Sequence, residues 1–312
     1  MDTLSFKTST TEKEKNAIID KSTLDVIAAS EGEILSSRHK VHGMDIRFKG
    51  TYMAVNVSLP KFRHGNNIEP LKHSDIQTVL SDIELVLGVS VLDAYLSRVD
   101  IAQNIIMEHD CQCYFDELLM KGNYKQQDYK PGVNFFNTEI GLHFYDKLKE
   151  NARKARATVP DEFLGKNILR YEFRNVKHIS ELFNRHKIVK GNVTVGHLLD
   201  KKVYNHLVRL SYSHYLKIIK GKVLIPSREL LNPSDFKDFL AYKGIIACGG
   251  EERVRKTVQT NRKNNFYANS AQPHRILEMI DKVTKNGYLG VENPLIQELN
   301  NKIAQATLMS YC

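Results

Sequence analysis

The chain has 312 residues, 42% of them hydrophobic and 26% charged, which excludes a disordered polymer and allows a buried core in one large domain or two smaller ones. Lysine plus arginine exceed aspartate plus glutamate by 45 to 36, a net charge of +9 that favours a polyanionic partner, because each neutralised phosphate releases counterions. Cysteines only at 111, 113, 248 and 312, without a C-x-x-C pair, argue against a disulfide framework, and the lack of a run of about 18 apolar residues excludes a membrane-spanning helix.

Residues 1–30 carry few core candidates and read as an N-terminal lead-in. Its first 21 residues are polar and lack the apolar stretch of a signal peptide, so a cytoplasmic protein is expected. Val41 to Phe48 and Tyr52 to Leu59 alternate apolar and polar residues around Lys49-Gly50, a β-hairpin signal. Ile76, Val79, Leu80, Ile83, Leu85, Val86 and Leu87 fall largely at helical spacing, with Asp75 near the start of the helix and Gly88 to stop it. Ala94 to Ile101 reads as a strand, Cys113 to Met120 as a helix, and the tyrosine-rich stretch Asn123 to Gly132 as a loop. Val133 to Phe136, Gly141 to Tyr145 and Ile168 to Val176 are further strands, with a basic stretch, Lys147 to Pro160, before the last. From about His178 the pattern turns helical, over Val203–Ile219, Asp235–Tyr242 and Pro273–Val283. The order predicts an α+β fold: an antiparallel sheet with helices on one face over 31–177, then a mainly helical region, 178–312.

Three of the strand segments place polar groups inside apolar runs. Residues two apart share a sheet face, so Arg98 pairs with Asp100, His143 with Tyr145 and Lys147, and Arg170 with Glu172 and Arg174. The solvated face of an antiparallel sheet explains any one of these as surface ion pairs of little energy. Three together in a basic chain point to an organised site. The chemistry they suit is attack on a phosphodiester. Asp100 and Glu172 offer hard oxygen ligands for Mg²⁺ or Mn²⁺, which would polarise the phosphate. Tyr145 would be the nucleophile, and Lys147 would favour its phenolate and steady charge on the phosphate oxygens.

These residues resemble the filamentous-phage gene II type of replication initiator and, more distantly, the rolling-circle initiators of small Gram-positive plasmids. Ser58-Leu59-Pro60-Lys61-Phe62-Arg63-His64-Gly65-Asn66-Asn67 is similar to that family's S-x-x-K and G-x-N run. Ser97-Arg98-Val99-Asp100 resembles its S-R-[IV]-D strand, Tyr145-Asp146-Lys147 its Y-x-K segment, and Arg170-Tyr171-Glu172-Phe173-Arg174 its R-[FY]-E-x-R strand. The blocks stand in the family's order. The resemblance implies a nicking domain over 31–177, with a fold like that of relaxases and RNA-recognition domains. It also implies a tyrosine that becomes linked to a DNA 5′-phosphate, and a metal-dependent endonuclease acting on single-stranded and origin DNA. Host helicase and polymerase are the partners such a scheme brings with it. The His-hydrophobic-His pair of the wider class is absent from the sequence, which leaves Asp100 and Glu172 as the metal ligands, with His143 and His42 as candidates for a third.

Lys61, Arg63, Arg98, Arg170, Arg174, Arg153 and Lys154 are the expected DNA contacts around this site. A second basic run, with Arg253, Arg255, Lys256, Arg262 and Lys263 ahead of Phe266 and Tyr267, suits phosphate contact with base stacking; Arg255 and Lys256 are its named contacts. Ser58-x-x-Lys61 also matches a penicillin-binding pair but lacks the companion motifs. A non-catalytic single-strand-binding module, or a relaxase or transposase with the same tyrosine chemistry, are the rival readings. Competing tyrosines are Tyr124, Tyr129, Tyr204, Tyr212 and Tyr215.

Overall fold

A computed structural model describes residues 1–30, 33–120, 122, 124–129, 131–154, 159–175, 179–224, 232–285 and 290–310. In chain order the strands and helices begin with β1 (Thr3–Ser9), α1 (Glu12–Asp20), β2 (Thr23–Ser30), β3 (Glu33–Val41), β4 (Met44–Lys49), β5 (Tyr52–Ser58), α2 (Leu59–His64) and α3 (Ile76–Leu87). The middle of the chain forms β6 (Tyr95–Met107), α4 (Cys111–Phe115), β7 (Leu118–Met120), β8 (Lys125–Tyr129), β9 (Gly132–Phe136), β10 (Ile140–Asp146), α5 (Lys147–Lys154) and β11 (Asn167–Asn175). It ends with α6 (Ile179–Arg185), α7 (Lys201–Leu216), β12 (Ile219–Lys220), β13 (Lys222–Leu224), α8 (Pro233–Ala247), α9 (Glu251–Lys263), α10 (Ala271–Lys285), β14 (Gly290–Glu292) and α11 (Pro294–Met309).

The fold is α+β. Ten strands make one antiparallel sheet in the order β2-β3-β4-β5-β1-β6-β11-β10-β9-β8. Period-2 alternation gives the sheet two unlike faces. Val99, Ile101, Leu142, Phe144, Leu169, Tyr171 and Phe173 are all buried on one of them. There the Tyr171 hydroxyl donates to the Ser211 carbonyl of α7 at 2.8 Å, and Gln103 Nε2 donates to Thr307 Oγ1 of α11 at 3.3 Å. Helix α3 joins the same core through Ile76, Val79, Leu80, Ile83 and Leu87 and ends at Gly88, whose φ of 72° suits glycine. Each such aliphatic side chain contributes about 1.5–3 kcal/mol on burial. The other face carries the charged rows.

Four expectations need correction. Residues 1–30 are no loose lead-in: β1 lies inside the sheet between β5 and β6, with Leu4 and Phe6 fully buried. Two alternating apolar residues were too few to mark it. The stretch 123–132 contains strand β8, whose polar residues are mostly exposed because it lies at the sheet's edge. Cys113–Met120 divides into the short helix α4 and strand β7. The boundary at 178 does not separate two cores either, since Leu207, Tyr215, Leu299 and Ile303 belong to the sheet's core. Helix α11 is further tied to the body by Glu298, which accepts from the Tyr114 hydroxyl and, at 2.9 Å, from the Glu108 amide. A second, small core of Ile245, Val258, Ile280 and Val283 belongs to α8, α9 and α10 alone. No described helix is long and apolar enough to cross a membrane.

Candidate active site

Strand β11 runs between β6 and β10, so three of the segments that stood out in the sequence become neighbours. The registers fix who meets whom: Arg174 lies opposite Asp100, Arg170 opposite Asn104, Glu172 opposite His143, and Tyr145 opposite Arg170. All of these point to the face away from α7 and α11, because Leu169, Tyr171 and Phe173 take the other side. The fourth segment closes over them. After α2, Gly65 turns the chain at φ 74°, and Asn66 Oδ1 caps the bend by accepting from the Ile68 and Glu69 amides. The Asn67 carbonyl then accepts from Arg170 Nη1 at 2.9 Å and from Asn104 Nδ2 at 2.9 Å. The four sequence blocks thus meet in one place.

At the centre the Tyr145 hydroxyl donates to Glu172 Oε1 at 2.5 Å. Tyr145 is 5% exposed, with its ring among polar groups on the charged face. Glu172 is 3% exposed and fully engaged: Oε1 also accepts from Arg170 Nε at 2.6 Å, and Oε2 accepts from Arg174 Nε at 2.7 Å. Arg170 Nη2 reaches Asp2 at 2.8 Å. Asp100 is held from its own strand by Arg98, through bonds of 3.0 and 2.5 Å. Lys147 is buried, donates to Glu150 at 2.8 Å, and places its ammonium 5.7 Å from the centre of the Tyr145 ring.

Burial sets the protonation of these groups. It pushes the Tyr145 phenol well above its usual 10, against the pull of Arg170, so the resting tyrosine keeps its proton. Burial opposes ionisation of Glu172 too, but Arg170 and Arg174 outweigh it and hold the carboxyl well below its ordinary range. Asp100 goes the other way: burial lifts it to about 6 despite Arg98. Burial, then Arg170, lower the Lys147 ammonium to about 8. His143 is lowered to about 4 by burial and Arg174, and stays neutral.

The expected DNA contacts divide. Arg98 and Arg174 keep about a third of their side chains exposed (29% and 32%) while paired with Asp100 and Glu172. Lys61 is exposed and close enough to depress Lys147, while Arg63 is exposed beside Asp82. Arg153 is exposed on α5, and the side chain of Lys154 lies outside the described residues, as does Arg156. Arg170 needs correction: at 2% exposure, with Nε and Nη1 hydrogen-bonded and Nη2 2.8 Å from Asp2, it is a buried structural hub and not an exposed cation. Arg255, likewise, is clamped between Glu251 and Asp281, whereas Lys256 is exposed.

Asp100 and Glu172 do not form a metal centre as they stand. All four of their oxygens face guanidinium or phenol donors, and among the described residues no three His, Cys, Asp or Glu side chains come together to hold an ion. Guanidiniums supply here the positive charge that a divalent cation would bring. His42 sits on the exposed turn between β3 and β4, outside the Tyr145 cluster. Cys111, Cys113 and Cys248 are free thiols, and Cys312 lies outside the described residues.

The sequence reading missed Asp2, Asn104 and Gly132. No local signal marks Asp2. Gly132 has one: it faces Tyr145 across the β9–β10 pair, and a Cβ there would lie 2.1 Å from the Phe144 carbonyl and 2.8 Å from the Tyr145 Cβ. The Gly at the end of a tyrosine-rich stretch was the visible trace. Tyr129, on β8 opposite Gly132, is the next tyrosine on this face and is half-buried.

No family model matches the chain. It shares sequence with the chorismate synthase of Methanocaldococcus jannaschii, 23% identical over 180 residues. That match takes in 55% of this chain and 44% of the other, so the chain spans less than half the length of the curated relative it matches. Among solved structures it is similar to the rolling circle replication initiator protein from Geobacillus stearothermophilus, at 10% identity and a TM-score of 0.33, over 73% of this chain and 88% of that one. A likeness of that degree carries no argument, and the functional reading rests on the site.

Proposed function

We propose that this protein nicks and rejoins one strand of DNA at an origin through a 5′-phosphotyrosine, and so starts rolling-circle replication. One observation carries the reading: a buried phenol hydroxyl 2.5 Å from a buried carboxylate, ringed by arginines, at the meeting point of the four initiator-like blocks. A buried tyrosine commonly finds an acceptor, as Tyr114 does in Glu298; what distinguishes Tyr145 is that Arg170 and Arg174 share its carboxylate.

In this reading Arg98 and Arg174, the part-exposed guanidiniums, turn to the scissile phosphate and neutralise it. Once Arg174 leaves Glu172, that carboxylate becomes a stronger base, and Glu172 Oε1 takes the phenol proton. The Tyr145 oxygen bonds to phosphorus as the bond to the 3′-oxygen breaks, and the departing oxygen takes a proton from solvent. The free 3′-hydroxyl is then available to prime synthesis, and the reverse attack restores the phosphodiester. Lys147, lowered to about 8 and set over the ring, stabilises the phenolate in its ammonium form. Mg²⁺ or Mn²⁺ enters this scheme only if the arginines release Asp100 and Glu172.

The test is a single-stranded oligonucleotide labelled at its 3′ end, since the downstream fragment stays on the protein. The wild-type chain is expected to become labelled and Tyr145→Phe is not. If no adduct forms under any condition while the oligonucleotide still binds, the non-catalytic single-strand module replaces this reading.

A further inference from the structure

Helices α8, α9 and α10 share a core of their own, apart from the sheet. The link between the first two is only Cys248-Gly249-Gly250. Both glycines take positive φ, 105° and 85°, and a Cβ on Gly249 would lie 2.4 Å from Arg253 Cδ. The positive φ at both positions favours glycine. Two helices joined by a three-residue glycine turn, braced by a third helix, are the parts of a helix-turn-helix unit.

The second helix, α9, is built asymmetrically. Val254, Val258 and Asn261, at helical spacing, turn inward, and Arg255 is tied to α10 through Asp281. Arg253, Lys256, Thr257, Gln259, Thr260, Arg262 and Lys263 are exposed. The only acids, Glu251 and Glu252, sit in the first turn, where they suit the helix dipole. The outward face is therefore basic, with short hydroxyl and amide side chains between the charges. Phosphate contacts need the first kind of group and base edges the second.

We infer that α8–α9 is a duplex-DNA-binding helix-turn-helix whose second helix enters the major groove. This goes beyond the proposed nicking site: the unit would hold double-stranded DNA, whatever the chemistry at that site.

The full-length protein is titrated into a fluorescent 24-base-pair duplex of arbitrary sequence at several salt concentrations, alongside a Lys256→Ala, Arg262→Ala, Lys263→Ala variant. These side chains are exposed, so the fold stands without them. Loss of three phosphate contacts should lower the slope of log K against log salt by about 3 and weaken binding at least about tenfold at 0.1 M salt. A Lys256→Arg, Lys263→Arg variant should bind like the wild type. Wild-type protein that ignores the duplex, or a triple alanine variant with unchanged affinity and slope, overturns the inference. Tyr145→Phe, titrated into the same duplex, should bind it like the wild type although it forms no adduct, so failure of this proposal and failure of the tyrosine site are told apart.

Discussion

Replacing Glu172 with glutamine tests the charge arrangement that everything at the site depends on. The change keeps shape and removes one negative charge from a place 3% exposed to solvent. Arg170 then keeps Asp2 as its counter-charge, and Arg174, a third exposed, can turn to water. Removing one partner of a buried ion pair costs about 3–5 kcal/mol; with these two compensations the cost should fall near about 3 kcal/mol. For a domain of this size, at about 2–4 °C per kcal/mol, Tm should drop by about 6–12 °C. Circular dichroism melting at pH 7.5 reads it directly. The same variant has lost the acceptor for the phenol proton, and its rate of adduct formation should fall at least about a hundredfold, the usual contribution of a positioned base. A Glu172→Gln protein that melts within about 2 °C of wild type would refute the argument that this carboxylate neutralises buried guanidiniums.

Other consequences can be checked separately. Gly132→Ala forces β9 away from Tyr145, so adduct formation should fall at least about tenfold while single-strand binding stays within about threefold; equal rates would mean the ring's position is not set by that contact. Lys147, lowered to about 8 by burial and Arg170, has a pH signature. Below pH 8 the folded and unfolded amines are both protonated and the burial penalty is constant. Above 8 the folded amine loses its proton while the unfolded one keeps it, so this group's contribution to stability rises toward pH 10. The Tm advantage of Lys147→Met over wild type should be largest at pH 7 and shrink toward pH 10; a constant gap would refute the shift. Finally, removing Arg98 and Arg174 together leaves Asp100 without its guanidinium and frees Glu172 Oε2, while Oε1 keeps Arg170. Calorimetric titration with Mn²⁺ should then show tighter binding than to wild type without DNA, and equally tight binding by both would contradict the pairing described here.

Much of the site could be read from the chain because strand alternation is local. A charged residue at every second place in Leu169-Arg170-Tyr171-Glu172-Phe173-Arg174 fixes a shared face whatever the strand pairs with. Which strands touch is not local. That β11 inserts between β6 and β10 follows from long-range pairing, and only this brings Tyr145 to Glu172. The same limit explains the misreading of Arg170. In the sequence it is one of two equivalent arginines flanking Glu172; in the fold Asn67 and Asp2 close over it, from 103 and 168 positions away. Strand β1 was missed because its burial comes from neighbours on both sides and not from its own apolar content. The helical region was legible by periodicity, but the allegiance of α11 to the sheet depends on contacts such as Gln103–Thr307 that no window of sequence contains.

The most direct measurement is identification of the covalently modified residue. After reaction with 3′-labelled single-stranded DNA and proteolysis, mass spectrometry should find the nucleotide on the peptide containing Tyr145. Modification of Tyr129 instead, the half-buried tyrosine two strands away on the same face, would contradict the assignment of the phenol that Glu172 holds.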